Sequence, residues 1–223
     1  MRSFHTLAPA VVALLSAPAL AVINPYTEQF SGPAANWSSS STFTPLSYPL
    51  SGGPDGSAYG SSGFGFAANS IGDFPILFRA QNSFGSSGGA FSGDWLGAGV
   101  TSLTFSVRDN APAPVTFFAR FSSGGPGVVS LQSVAVQPNT WTTFTVQIDP
   151  LAPFIYEGSP ALFTSTFTNM DRLQIGVVVD AGLAGQPGPY TFDIDNVGIV
   201  PSPATGAVLV GALGLAGLRR RRG

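Results

Sequence analysis

The sequence predicts an all-β chain, two antiparallel sheets packed face to face as a sandwich of the jelly-roll type. Three observations carry that prediction. Apolar residues alternate with polar ones at period two in several separate segments, the mark of strands with one buried face. The turn formers, 28 Gly and 19 Pro, are spread among runs rich in Ser, Thr, Val and Phe. No long stretch shows the 3.6-residue period of an amphipathic helix that could cover a sheet, which leaves sheet-on-sheet packing.

The 223 residues divide into three parts. Met1-Arg2-Ser3 is followed by an apolar stretch from Leu7 to Leu20 that closes with Ala19-Leu20-Ala21. A positive start, an apolar middle and a small-x-small end is the order of a secretory signal, with cleavage expected after Ala21. A buried helix is the alternative, and Pro9 and Pro18 argue against it. Residues 22–199 hold no charge block and no repeat of fixed period, so they are expected to form one domain.

Within that domain the Gly/Ser-rich segments 51–56, 85–89 and 122–127 read as loops. Leu103, Phe105 and Val107 make the first alternating set, and Val115, Phe117, Ala119 and Phe121 the second. Pro112 and Pro114 between them belong in a loop or at an edge, because proline cannot donate to a ladder. Phe144, Val146 and Ile148 alternate next, then Leu173, Ile175, Val177 and Val179. In the last strand, Tyr190 to Ile199, the residues Tyr190, Phe192 and Ile194 share one phase while Val197 and Ile199 share the other. That slip predicts a β-bulge around Asp195-Asn196.

At the C-terminus Val200-Pro201-Ser202-Pro203 leads into the apolar run 204–218, then Arg219, Arg220, Arg221 and Arg222. Fifteen apolar residues fall short of the ~20 that cross a bilayer comfortably, and the Arg cluster would hold their end on the cytoplasmic side. A Pro-x-Pro signature, a short apolar helix and a terminal Arg cluster resemble the PEP-CTERM sorting signal recognised by exosortase, with Ser202 where that family usually has Glu. The resemblance implies export, transient membrane anchoring through the tail, processing near the motif by an exosortase-type enzyme, and a place at the cell surface or in an exopolysaccharide matrix. A permanent tail anchor is the other reading.

Charge and residue types narrow the chemistry. Five of the nine arginines lie in the terminal segments, so the domain has four arginines, no lysine and eleven acids, a net charge of −7. Such a domain repels phosphate backbones, which excludes nucleic acid as an expected partner and favours divalent cations. There is no Cys, so no disulfide or thiolate site. The single His, His5, lies in the export signal, leaving the domain no imidazole for general-base work. Glu28 and Glu157 are its two glutamates, and no Gly-x-Ser-x-Gly elbow joins a strand to a helix. No catalytic set is found, and the chain is not expected to be an enzyme.

Four pieces, Thr27-Glu28-Gln29-Phe30, the segment 52–58, Trp141-Thr142-Thr143-Phe144 and Phe192-Asp193-Ile194-Asp195-Asn196-Val197, resemble the galactose-binding-like jelly rolls of carbohydrate-binding modules and surface proteins. The resemblance implies a structural Ca²⁺ where the first strand, the Gly-rich loop and the last strand meet, held by Glu28, Asp55 and Asp195. Asp193 and Asp195 stand two apart on one strand and face the same side, so something must separate their charges, unless both are solvated on the outer face. Calcium, with its six to eight oxygen ligands, could do so.

For sugar stacking the aromatic candidates are Trp37, Trp95, Trp141, Tyr48, Tyr59 and Tyr156, with Trp37 and Trp95 placed in loops or at strand starts. The alternative for both is core packing, given 18 Phe. The function expected is that of an exported, non-catalytic surface or extracellular-matrix protein associated with exopolysaccharide. The alternative is a carbohydrate-binding module that docks polysaccharide through exposed aromatics.

Overall fold

The computed structural model describes residues 25–39 and 41–201. The export signal 1–21 and, from the tail, Ser202, Pro203 and Arg219 to Arg222 lie outside the described residues. In chain order the elements are β1 (Tyr26–Glu28), β2 (Gly60–Phe64), β3 (Ile76–Gln81), β4 (Val100–Asp109), β5 (Thr116–Ser122), β6 (Gly127–Leu131), β7 (Thr142–Gln147), β8 (Ile155–Tyr156), α1 (Leu162–Phe167), β9 (Arg172–Val178) and β10 (Tyr190–Pro201). The protein is an antiparallel β-sandwich of the jelly-roll type. One sheet has the order β1-β10-β4-β7, with β2 also paired to β10, and the other runs β3-β9-β5-β6-β8.

The period-two sets become the two inner faces. Leu103, Phe105 and Val107 on β4, with Phe192 and Ile194 on β10, face Phe117, Ala119 and Phe121 on β5 and Leu173, Ile175 and Val177 on β9, all fully buried. Removing each large side chain from water contributes roughly 1.5–3 kcal/mol, and these residues form one continuous cluster. Pro112 and Pro114 fall between β4 and β5, outside any strand, as expected.

The predicted bulge is present and has a topological purpose. β2 pairs with β10 from Tyr190 to Ile194, and β1 pairs with it from Val197 to Ile199, so two strands share one edge of β10. On the other edge, the register to β4 shifts between Asp195 and Gly198. Asn196 takes the left-handed conformation there, φ 50°, which Asn tolerates better than most residues. β10 also runs two residues further than expected: Val200 and Pro201 still pair with Ser102 and Val100, so these two tail residues belong to the sheet.

The alternation does not announce α1. Six residues long, it buries Phe163 and Phe167 against Phe121 and Phe154 and so closes one end of the core. Among the described residues no helix is long and apolar enough to cross a membrane.

Candidate functional site

Trp37 and Trp95 belong to the core. Both are fully buried: Trp37 packs edge-on against Phe30 and Phe91 and donates its indole N–H to Ser87 Oγ at 2.9 Å, and Trp95 meets Phe121 and Phe167. A ring with no open face cannot stack on a sugar, which corrects their assignment as carbohydrate platforms. Their polar neighbours in the sequence suggested exposure, but a single N–H satisfied by Ser87 or by the Phe91 carbonyl lets an indole sink completely. Trp141 and Tyr59 flank the Arg108 guanidinium, 4.7 and 5.1 Å from their ring centroids, and Trp141 Nε1 donates to the Gly52 carbonyl. They pin the 52–59 loop onto the first sheet.

The four expected calcium ligands do not form a cation site. Among the described residues no group of three or more carboxylates, histidines or cysteines could hold a metal. Asp193 is taken by Arg108, whose Nε and Nη2 both donate to its Oδ2 at 2.9 and 2.7 Å. Glu28 accepts from the Phe30 amide and from the hydroxyls of Tyr26 and Ser87. Asp195, fully buried, accepts from Ser57 Oγ and from the Asn196 amide, both at 2.8 Å. Asp55 is exposed and accepts from the Ser57 amide in its own turn. The first strand, the Gly-rich loop and the last strand do meet, and each oxygen of Glu28 and Asp195 accepts a hydrogen bond; Asp193 Oδ1 is buried without a partner, but no three of the expected carboxylates are gathered around one ion. Burial raises the pKa of Asp195, and the nearby charges of Asp55 and Glu28 raise it further. Gly53 lets this junction close: a Cβ there would lie 2.5 Å from Ser57 Oγ and 2.7 Å from Asp195 Oδ2, so the hydrogen-bonded pair would have to shift.

The site with binding geometry lies on the outer face of the second sheet. Strand register sets Arg79 opposite Gln174, Gln174 opposite Arg120, Arg120 opposite Val129 and Val129 opposite Ile155. These five side chains therefore form one row across β3, β9, β5, β6 and β8, about 19 Å at the usual strand spacing. A groove of about 540 Å³ follows the row, also lined by Phe74, Ile76, Phe118, Glu157 and Arg172. Phe118 forms part of the floor because its neighbour across the ladder is Gly176, where a Cβ would collide with the ring at 2.5 Å. Phe74, about half exposed, meets Phe118 edge-on at 5.5 Å and offers an aromatic face at the rim.

The polar groups are ordered. Arg120 forks Glu157, with Nε to Oε1 and Nη2 to Oε2, and reaches Gln174 Oε1 through Nη1 and the Gly125 carbonyl through Nη2. Glu157 also accepts the Gly127 amide. The Arg120 hydrogen bond comes first among the causes that hold the Glu157 carboxyl below its usual range. Arg172 pairs with Asp171. Arg79 takes part in no ion pair among the described residues, its Nε is buried without a hydrogen-bond partner, and burial, then Arg172 and Arg120, lower its pKa. Hydrophobic alternation had marked the inward residues of these strands. The outward Arg120 and Gln174 were visible as their polar phase, but their alignment with Arg79 depends on register.

The chain matches no protein-family model and no curated protein. Among solved structures it is similar to PfGH50B, with a TM-score of 0.51 and 13% identity over 80% of this chain and 24% of that one. It is also similar to an exo-beta-agarase, TM-score 0.48 and 13% identity over 71% of this chain and 22% of that one. A third is the family 11 carbohydrate-binding module from Clostridium thermocellum in complex with a beta-1,3-1,4-mixed-linked tetrasaccharide, TM-score 0.47 and 15% identity over 82% of this chain and 98% of that one. The chain thus spans about a quarter of the length of the first two. At such identities the likeness is one of fold.

Proposed function

We propose that this is an exported, non-catalytic domain that docks a polysaccharide along the outer face of its second sheet. The observation that carries the reading is the single row of Arg79, Gln174, Arg120, Val129 and Ile155 across five strands, beside the half-exposed aromatic ring of Phe74. Sugar rings need an apolar surface for their axial hydrogens and directed hydrogen-bonding groups for their hydroxyls, and this groove supplies both. Its open, strand-crossing form suits a chain better than a small molecule.

The charge arrangement supports a binding rather than a catalytic role. Glycoside hydrolysis needs two carboxyl groups, one held protonated. Glu157 is the one carboxylate lining the groove, and Arg120 keeps it ionised and fully hydrogen-bonded. The secretory signal at 1–21 and the PEP-CTERM-like tail at 200–223 support an exported protein sorted by an exosortase-type enzyme, transiently anchored, and acting at the cell surface or in an exopolysaccharide matrix.

Electrophoresis of the full chain through gels containing individual polysaccharides tests the reading. Retardation by at least one of them, weakened about tenfold or more by Phe74→Ala or Gln174→Ala, is expected, since each substitution removes one stacking or hydrogen-bonding partner. Retardation unaffected by both would place binding elsewhere. Retention of the tail-deleted protein at the cell surface would contradict the sorting reading.

A further inference from the structure

Three of the four arginines among the described residues, Arg79, Arg120 and Arg172, line this one groove, in a domain that is otherwise acidic. We infer that the groove takes an acidic polysaccharide and that Arg79 is the residue that meets its carboxylate or sulfate groups; the inference rests on reading the groove as a polysaccharide site.

The three guanidiniums are not equivalent. Arg120 spends its donors on Glu157, Gln174 and Gly125, and Arg172 spends two on Asp171 and the Gly124 carbonyl. Arg79 has no ion pair among the described residues and a buried Nε with no partner, and the two other cations stand close enough to lower its pKa. An arginine present for its apolar stem alone would extend its head into water. Arg79 is instead held half-buried beside like charges, an arrangement that costs stability unless an anion completes it.

The donor balance points the same way. The hydroxyls of a neutral glycan donate as well as accept, and so call for acceptors as well as donors. This groove has three guanidiniums and an amide, while its carboxylate is already committed to Arg120. Such a surface is rich in donors and poor in free acceptors, which suits a polymer whose repeating groups only accept. Guanidinium meets carboxylate and sulfate alike through two parallel N–H···O bonds. Elsewhere the domain's acids repel such a polymer and leave this face as the one it can approach.

The test uses two matched pairs of polymers in affinity gels with the full chain: polygalacturonate against its methyl ester, and a sulfated galactan against neutral agarose. The expected result is retardation by an acidic member and not by its neutral counterpart, weakened about 10- to 100-fold in Arg79→Gln and less in Arg79→Lys. The polygalacturonate and galactan arms tell carboxylate from sulfate. Arg79→Gln should not lower the unfolding midpoint without polymer, whereas an arginine serving the fold would. Equal retardation by both members of a pair, abolished by Phe74→Ala but not by Arg79→Gln, would overturn the inference and leave polysaccharide docking standing. No retardation by any polymer would remove both.

Discussion

Arg120 on β5 and Glu157 just after β8 close a two-pronged ion pair across the outer face of the second sheet, at the centre of the groove. The pair fixes the end of β8 to the sheet and gives the groove its rigid middle. Replacing Glu157 by Gln keeps the shape and leaves three cations with less compensation. The pair is partly exposed, so the expected loss is about 1 kcal/mol, read from urea midpoints at low salt and smaller at high salt. Because the folded carboxyl is held below its usual range, its contribution is present above the unfolded pKa and lost as pH falls through the folded one. Glu157→Gln should therefore flatten the acid end of the stability profile.

Asp109 behaves in the opposite sense. Burial, with a smaller contribution from Asp193, raises its pKa from 3.8 to about 6, and its Oδ2 is buried without a partner. The folded state holds this proton more tightly than the unfolded one, so stability falls as pH rises from about 4 to about 6. Asp109→Asn keeps the acceptor for the Ala111 amide and cannot ionise. Its unfolding midpoint relative to wild type should be more favourable at pH 7 than at pH 4.5, and an equal difference at both would contradict the assignment.

The Ser57 hydroxyl on Asp195 predicts how the loop junction responds to metal. With each Asp195 and Glu28 oxygen already accepting a hydrogen bond, added Ca²⁺ and chelator should give the same thermal midpoint for the full chain. A rise with Ca²⁺ would show that the carboxylates exchange these donors for an ion. Ser57→Ala strands a buried carboxylate oxygen and should cost about 1–3 kcal/mol.

Trp37 and Trp95 separate structure from binding. Trp37→Phe and Trp95→Phe leave space in the core and should destabilise by about 1–3 kcal/mol in denaturant titration. At temperatures where both variants remain folded, their retardation in polysaccharide gels should match wild type. A selective loss of retardation would mean that these rings reach the ligand after all.

Much of the fold is legible in the sequence, because period-two alternation reports one buried face directly. The sets on β4, β5, β7 and β9 and the bulge at Asp195-Asn196 follow from side-chain phase alone. The short helix α1 does not, since six residues are too few to show a period. The groove was half visible. Arg120 and Gln174 stand in the outward phase of strands already recognised, but the neighbours in the row are 9 to 95 residues apart in sequence, from Arg120 and Val129 across one hairpin to Arg79 and Gln174, and no local pattern encodes the longer pairings. Tryptophan misled for the same reason: its size and polar neighbours suggest a platform, while burial is decided by which residues pack around it. Phe74, the exposed aromatic of the groove, carries no local signal that separates it from 17 other phenylalanines.

The most direct measurement is an amide-resolved NMR titration of the isotopically labelled full chain with a polysaccharide that retards it. Shift changes confined to residues 74–81, 118–129, 155–157 and 172–176 are the expected result. Changes centred instead on Tyr59, Arg108 and Trp141, or none in the second sheet, would contradict the placement of the binding face.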